Sequence, residues 1–304
     1  MSAYDDLIAF ERETQALSQV AGRLGWDQET MMPEGAGPQR AEESAAMEGV
    51  LHARRSDPRV GEWLAAAEPE GEVAVACLRH IRRSYDRAVK VPARLATELA
   101  RETSLAHRTW AKARAAEDVA SFLPALSRIV DLRRVEAAAL ADGGDLYDAM
   151  LDDYEPGMAG AALAAMIDAM RPGLVALRDK ILGATPPAAL AGSFPEEGQL
   201  ALSQELALAF GYDLGHGRID KAVHPFSSGS GLDVRITTRT AADDPFNCFY
   251  STIHEVGHAA YEQGIDRDYL LTPLGGGVSM GVHESQSRIY ENQLGRGRAF
   301  TGWL

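Results

Sequence analysis

Cysteine, basic charge and long apolar runs are all scarce in this sequence of 304 residues. The two cysteines, Cys77 and Cys248, lie far apart in apolar surroundings. They predict buried thiols in a reducing compartment and argue against a disulfide framework or a cysteine metal site. Lys and Arg number 30 against 44 Asp and Glu, which gives a formal net charge of −14. That balance argues against nucleic acid as a partner.

Targeting and membrane signals are missing as well. Residues 1–11 carry acids where a signal peptide would have a basic region and an apolar run, so no signal peptide is indicated. No apolar stretch approaches the roughly 18 residues of a membrane-spanning helix. Hydrophobic residues make up 46% and charged residues 24%, a usual globular balance that allows a sizeable core. We therefore expect a cytoplasmic protein with no membrane partner.

Helical periodicity dominates the first two thirds of the chain. Two prolines and two glycines between Trp26 and Pro38 are expected to end the first helix, and Pro172-Gly173 to kink or break a later one. We place a soft boundary near residue 184, between an N-terminal helical region (1–184) and a catalytic region (185–304) of one continuous folded unit. The predicted helices cover residues 5–24, 39–55, 72–90, 92–116, 120–141 and 161–182, with a further helix start at Asp57-Pro58.

The segment Asp233–Thr240 is the best strand candidate, because it alternates and is rich in β-branched residues. Asp233, Arg235 and Thr237 share one face of such a strand. A peptide substrate lying extended along an exposed strand edge would meet these side chains. An amphipathic edge strand with a structural Asp–Arg pair explains the same pattern, and both interpretations stay open.

The acidic loop Asp145–Gly157 contains carboxylates of the kind that bind calcium. Five of its thirteen residues are acidic. It lacks the full ligand pattern of an EF-hand loop, however. A solvated or packing loop is therefore favoured.

The helical segment Phe249–Gln263 contains a pentapeptide with a histidine at each end. In His254-Glu255-Val-Gly-His258, the two histidines are four residues apart and so share a face of the helix. Both imidazoles can reach one cation, and Glu255 can lie beside a metal-bound water as general base. The alternative is a buried helix with two incidental histidines.

Glu284 can complete this site. Catalytic zinc usually has three protein ligands, and Glu284 lies 26 residues after His258. The glycine-rich run Pro273–Gly281 supplies a loop between the two helices. The alternative for Glu284 is a solvated glutamate on a helix face.

The sequence resembles the carboxypeptidase Taq family of metallocarboxypeptidases along its whole length, with the motifs in the family's order. Family members run considerably further, and their later Gly-x-x-Gln segment and the groups that hold the substrate's terminal carboxylate have no counterpart here, so a C-terminally truncated member is expected. The matching segments are His254–His258, His283–Arg288, His224-Pro-Phe226, Asp233–Arg239, Leu24–Pro33 and Tyr147–Met158.

This resemblance implies a mostly α fold with a small β-sheet lining the active-site groove, like the thermolysin-to-neurolysin group, and helices 1–184 roofing that groove. It implies zinc or cobalt, held by His254, His258 and Glu284, and a homodimer. It also implies release of single residues from peptide C-termini. Glu255 would then be the base and His283, adjacent to a ligand, the donor to the oxyanion.

Four residues outside the predicted metal site are candidates for binding the substrate. His224 precedes Pro225 and is either a substrate-facing histidine or a satisfied loop histidine. The substrate-binding candidates are His224, Asp233, Arg235 and Thr237. Two other functions compete with a carboxypeptidase: an endo-acting oligopeptidase, and a metal-binding protein that is catalytically incomplete and acts as an interaction partner.

Overall fold

The computed structural model describes residues 2–188 and 190–304 and is mostly helical. Short 3-10 segments lie at Glu34–Ala36 and Arg267–Tyr269, and a π-helix at Ile289–Leu294 continues the helix before it. The α-helices are α1 (Ala3–Thr30), α2 (Gly37–Arg55), α3 (Pro58–Ala66), α4 (Gly71–Ala88), α5 (Ala93–Ala115), α6 (Val119–Ala141), α7 (Leu146–Leu151), α8 (Gly160–Leu182), α9 (Glu196–Ala209), α10 (Pro245–Gln263), α11 (Met280–Arg288) and α12 (Arg298–Trp303).

A three-stranded sheet lies between the helical N-terminal half and α10. Its strands are β1 (Ile219–Lys221), β2 (Ser227–Ser230) and β3 (Asp233–Thr238), in the order β1-β3-β2. β1 runs parallel and β2 antiparallel to the central strand β3. The expected small sheet is therefore present, and its central strand falls within the segment that the alternation predicted.

The core beneath the site joins α10 to this sheet. Val234 and Ile236 of β3 are fully buried against Val256 and Ala259 of α10, and Ala207 of α9 and Tyr212 belong to the same cluster. Burial of each valine or isoleucine side chain in this cluster stabilises the fold by about 1.5–3 kcal/mol. One face of α10 is thereby fixed to the sheet, which leaves the opposite face for polar residues.

The first helix runs further than the sequence predicted. α1 begins at a capping box formed by Ser2 and Asp5 and continues to Thr30, past the expected break at Trp26. Trp26 is 6% exposed, and the guanidinium groups of Arg218 and Arg235 lie 5.0 and 4.4 Å from its ring centroid. Packing against these cations holds the helix where local composition favoured a break. Likewise, Pro172 lies inside α8 without dividing it.

Helix α8 corrects the expectation about apolar stretches. It is long and apolar enough, by length and composition, to cross a membrane, with a mean hydropathy of 1.4 over 18 residues and none of that window buried. A single helix that passes this test is weak evidence of membrane insertion. Its apolar side chains, among them Met166, Leu174 and Leu177, are exposed.

The segment predicted as an acidic loop, Asp145–Gly157, contains the short helix α7, and its second half packs against two other elements. Asp152 pairs with Arg83 and Arg87 of α4 at 2.8 and 3.3 Å. Glu155 accepts hydrogen bonds from the hydroxyl of Ser279 at 2.8 Å and from the backbone N–H of Gly281 at 3.1 Å. Ser279 is the N-cap of α11. The loop therefore ties the N-terminal half of the chain to the helix that carries Glu284.

Candidate metal centre

Helix α10 presents both histidines of the pentapeptide on its open face. Asp244 caps the helix by accepting from the N–H of Asn247, and Pro245 occupies the first turn, where its missing N–H costs nothing. Ile253 and Val256 point into the core and are fully buried. His254 and His258 therefore turn toward a cavity on the other side, while Glu255 between them is 6% exposed.

Helix α11 approaches α10 closely at Gly257. A Cβ atom at this position would lie 2.5 Å from the Cα atom of Ser287, closer than side chains pack. Only glycine permits that approach. It brings Glu284, one turn before Ser287 on α11, next to the two histidines.

The three predicted ligand atoms converge as a metal site requires. The Oε2 atom of Glu284 lies 3.2 Å from Nε2 of His258 and 3.6 Å from Nε2 of His254. Ligand atoms about 2.0–2.2 Å from a tetrahedral cation stand about 3.4 Å from one another. The two nitrogens and the carboxylate oxygen thus fit a small divalent cation such as zinc. Among the described residues, this is the one group of at least three His, Cys, Asp or Glu side chains that meets the distances for holding a metal ion.

A carboxylate behind His254 fixes the orientation of its ring. Nδ1 of His254 lies 2.9 Å from Oε2 of Glu291. Glu291 is itself held by Arg296 at 2.9 Å and Arg288 at 3.2 Å. Because Nδ1 donates to Glu291, Nε2 keeps its lone pair for the cation. Sequence reasoning missed this residue, although its spacing of seven from Glu284 places it on the same face of the continuing helix.

His258 is likewise oriented by side chains on the far side of its ring, which form a hydrogen-bonded chain. Its Nδ1 lies 2.6 Å from Nδ1 of His283, whose Nε2 lies 2.9 Å from Oε1 of Glu262. Glu262 is buried and also accepts from the N–H of Gly277 at 3.0 Å. Glu262 was missed as well, although four residues after His258 is a same-face spacing. Both ring nitrogens of His283 are therefore engaged within the protein, and neither offers a free N–H to an oxyanion.

Burial shifts the pKa values of two side chains at the candidate metal centre. It raises the pKa of Glu255 to about 8, with the carboxylates of Glu284 and Glu291 adding to the effect. It lowers the pKa of His258 to about 4, helped by His283 and His254. A neutral imidazole is the form that binds metal, and a cation would offset the crowding of carboxylates. The site as folded thus favours an added positive charge.

A cavity of about 1120 Å³ opens over the three ligands. Glu255 lies in its wall beside them, and His224 lines it from the loop before β2. Aromatic side chains contribute as well, since Phe226, Phe246 and Tyr250 lie in the wall. This volume accommodates a peptide segment.

Comparison with known proteins identifies the family. Residues 6–304 match the family described as "Carboxypeptidase Taq (M32) metallopeptidase". The chain belongs to this carboxypeptidase Taq family. It is 42% identical to thermostable carboxypeptidase 1 of Thermus thermophilus over 98% of this chain and 62% of that protein. It is 33% identical to thermostable carboxypeptidase 1 of Pyrococcus furiosus over 97% of this chain and 61% of that protein.

The fold agrees with solved structures of carboxypeptidase Taq relatives. The M32 carboxypeptidase from Deinococcus radiodurans R1 superposes with a TM-score of 0.86 at 36% identity, covering 99% of this chain and 63% of that chain. The chain thus spans about three fifths of the length of the relatives it matches. These neighbours confirm a mostly helical fold with a small sheet, whereas the wider grouping with thermolysin and neurolysin stays a prediction.

Within this carboxypeptidase Taq fold, the four predicted substrate-binding residues separate. His224 lines the cavity, but Asp233, Arg235 and Thr237 do not. Asp233 and Arg235 pair at 2.7 Å, and Arg235 stacks on Trp26 of α1. Thr237 is fully buried, and its hydroxyl accepts from the N–H of Phe226 at 2.8 Å. The structural Asp–Arg pair left open as the alternative is present, but β3 is the central strand of the sheet, so the expected edge strand is wrong.

Proposed function

We propose that this protein is a zinc-dependent metallocarboxypeptidase that releases C-terminal residues from peptides. The observation that carries this proposal is the convergence of His254, His258 and Glu284 in a peptide-sized cavity beside the buried Glu255. Relatives that the chain matches are named carboxypeptidases, and that likeness supports the reaction class. Peptide is the proposed substrate.

The choice of zinc rests on the donors. Two imidazole nitrogens and one carboxylate oxygen are donors that a borderline cation such as zinc prefers, and three protein ligands are the usual number at a catalytic zinc site. Cobalt has similar preferences and is the proposed substitute. When bound, the cation polarises the scissile carbonyl and lowers the pKa of the attacking water.

Glu255 is the proposed general base and acid. Its carboxylate lies between the two histidines in sequence and within the cavity wall, where it can accept the proton of the attacking water. It then delivers the proton to the leaving amine nitrogen. Its pKa of about 8 in the metal-free protein is raised by burial and neighbouring carboxylates, and an added cation lowers it.

His283 takes a different role from the oxyanion donor expected of it. Both of its ring nitrogens are engaged, one with His258 and one with Glu262. We assign it to positioning His258, with Glu262 holding its ring. His224, exposed in the cavity wall, keeps its proposed role as a substrate-binding residue.

The deciding experiment compares one peptide in two forms, with a free and with an amidated C-terminus, on zinc-loaded protein. Sequential release of terminal residues from the free form alone is the expected result. Internal cleavage of both forms would indicate an endo-acting oligopeptidase. Metal binding without turnover of either form would indicate a catalytically incomplete protein. Cytoplasmic location and a homodimer stay predictions of sequence and family resemblance.

A further inference from the structure

The segment Tyr147–Met158 matches a family motif, yet it contributes no residue to the wall of the metal cavity. Its second half instead reaches the beginning of α11. The carboxylate of Glu155 accepts hydrogen bonds from the hydroxyl of Ser279 at 2.8 Å and from the backbone N–H of Gly281 at 3.1 Å. A carboxylate from the N-terminal half of the chain therefore binds the N-terminus of the helix that carries Glu284.

Polar contacts hold the first turn of α11. The backbone N–H of Met280 donates to the carbonyl oxygen of Tyr154 at 2.9 Å, and that of Val282 donates to the hydroxyl of Ser279 at 3.1 Å. The side chains of Met280 and Val282 are both more than half exposed, so apolar burial contributes little here. The N–H groups that open a helix have no partner within it, and the segment around Glu155 supplies two of theirs.

The turn that presents Glu155 is itself fixed to α4. Asp152 pairs with Arg83 at 2.8 Å and with Arg87 at 3.3 Å. The other carboxylate oxygen of Asp152 accepts from the backbone N–H of Gly157 at 2.9 Å, which closes the turn around Glu155. Helix α4 therefore provides a fixed base for the contact with α11.

Glu155 and α10 contact different sides of α11. The contacts with α10 are made by Ser287, which lies against Gly257, and by His283, which belongs to the hydrogen-bonded chain behind the metal site. His283 and Ser287 are four residues apart and share a face. Gly281 lies about 200° around the helix from His283, since each residue turns the helix by about 100°. Glu155 thus holds the side that α10 leaves free.

A third contact removes a motion that two contacts allow. A helix held at His283 and Ser287 can still rotate about the line that joins these two residues. Glu284 lies off this line, about 100° around the helix from His283, so the rotation would move its carboxylate relative to the two histidines. A metal site needs its ligands within about 0.5 Å of their working positions. The contact of Glu155 at Gly281 prevents this rotation.

We propose that Glu155 is a positioning residue of the metal centre, which fixes the orientation of α11 and thereby the place of Glu284. The proposal rests on the proposed function, because it takes the metal to be held by His254, His258 and Glu284. It makes the fixed turn around Glu155, outside the cavity wall, a determinant of metal affinity. A helix cap that only stabilises the fold would leave the metal unaffected, so the test separates these two roles.

Zinc affinity and the visible absorption of bound cobalt measure the effect. Glu155→Ala removes both hydrogen bonds and should weaken zinc binding about tenfold, the lower end of the loss seen when groups behind metal ligands are removed. It should also change the cobalt spectrum, which depends on the geometry of the ligands. Glu155→Gln keeps the size and one acceptor oxygen, so it should recover most of the affinity and the wild-type spectrum.

Asp57→Ala is the matched control. Asp57 is the N-cap of α3, accepts from the backbone N–H of Arg59 at 2.9 Å and lies outside the cavity wall. Loss of such a cap destabilises the helix, but zinc affinity and the cobalt spectrum should stay those of the wild type. Wild-type affinity and spectrum in Glu155→Ala, or an equal loss of affinity in Asp57→Ala, would overturn the proposal. Circular dichroism confirms that each variant is folded.

Ser279→Ala provides a second variant that leaves Glu155 in place. It removes the hydroxyl that Glu155 binds and should also weaken zinc binding. The losses from Ser279→Ala and Glu155→Ala should not add in the double variant, because both act through one contact. Fully additive losses, or wild-type affinity in Ser279→Ala, would contradict the proposal.

The two proposals fail separately. Zinc-dependent hydrolysis by the wild-type chain, together with undiminished zinc affinity in Glu155→Ala, contradicts only the role of Glu155. Zinc affinity that depends on Glu155, without peptide hydrolysis by the zinc-loaded wild-type chain, contradicts only the proposed reaction.

Discussion

At the scale of single residues, the side chains behind the ligands decide which nitrogen meets the metal. Glu291 holds His254, and the pair Glu262 and His283 holds His258. When Nε2 of His258 holds the cation, its Nδ1 carries the proton and donates to Nδ1 of His283, and Nε2 of His283 then donates to Glu262. This chain of hydrogen bonds directs Nε2 of His258 at the site.

The first prediction follows for His283. His283→Leu removes the acceptor for Nδ1 of His258 and should weaken zinc affinity by about ten- to a hundredfold. Competition with a chromophoric chelator measures this directly. His216→Leu is the control, because His216 pairs with Asp213 outside the cavity. Wild-type affinity in the His283 variant would contradict the positioning role.

At the scale of elements, the site depends on the close contact of α10 and α11. The sequence predicted both helices and brought the three candidate ligands together, because four-residue spacing and a glycine-rich loop are local signals. It did not show that Gly257 is the contact point, since that depends on where Ser287 lies in three dimensions. It also misplaced the end of α1, because Trp26 is held by arginines more than 190 residues away in the chain.

The sequence also could not show which element packs against β3, the strand predicted to bind substrate. Alternation correctly placed Asp233 and Arg235 on one face of β3, but it could not say what that face meets. In the structure the face meets α1, where Arg23 reaches Asp233 at 3.0 Å. The cavity lies elsewhere. A sequence pattern predicts which residues share one face of a strand. The element that packs against that face is known only from the three-dimensional structure.

The second prediction concerns that helix contact. Gly257→Ala places a Cβ against the backbone of Ser287, so α11 must shift and carry Glu284 with it. We expect a loss of about 1–3 kcal/mol in the free energy of unfolding and at least about tenfold weaker zinc binding.

Gly198→Ala on α9 is the matched control, because nothing lies within 4 Å of its added Cβ. It should be neutral or stabilising by up to about 1 kcal/mol. Denaturant titration measures the free energy of unfolding of both variants, and chelator competition measures their zinc affinity. Equal behaviour of the two substitutions would show that the contact at Gly257 does not determine the site.

At the scale of the whole molecule, apolar surface is distributed unevenly. None of the α8 residues is buried, and a stripe at helical spacing is exposed along it, comprising Met166, Met170, Leu174, Leu177 and Ile181. Exposed patches of this kind favour association. The net charge of −14 makes copies of the chain repel one another and so opposes association. Added salt screens this repulsion and weakens it.

The third prediction is therefore self-association that grows with salt. Sedimentation equilibrium at rising NaCl should show species larger than a monomer, and Leu174→Gln combined with Leu177→Gln should reduce them. Val20→Gln combined with Met31→Gln, which also replaces exposed apolar residues but on α1 and its C-cap, is the control. A monomer at all salt concentrations would contradict the prediction.

The central claim is that a metal held by His254, His258 and Glu284 works with Glu255 as the base, and one paired measurement tests it. Zinc content and turnover of an unblocked peptide are determined on the same samples of wild-type and Glu255→Gln protein. Because glutamine keeps the size of glutamate but cannot accept the proton, both should hold about one zinc per chain, while the variant turns over about 10²–10⁴-fold more slowly. Equal rates at equal zinc content, or a zinc-loaded wild-type chain without turnover, would contradict the account.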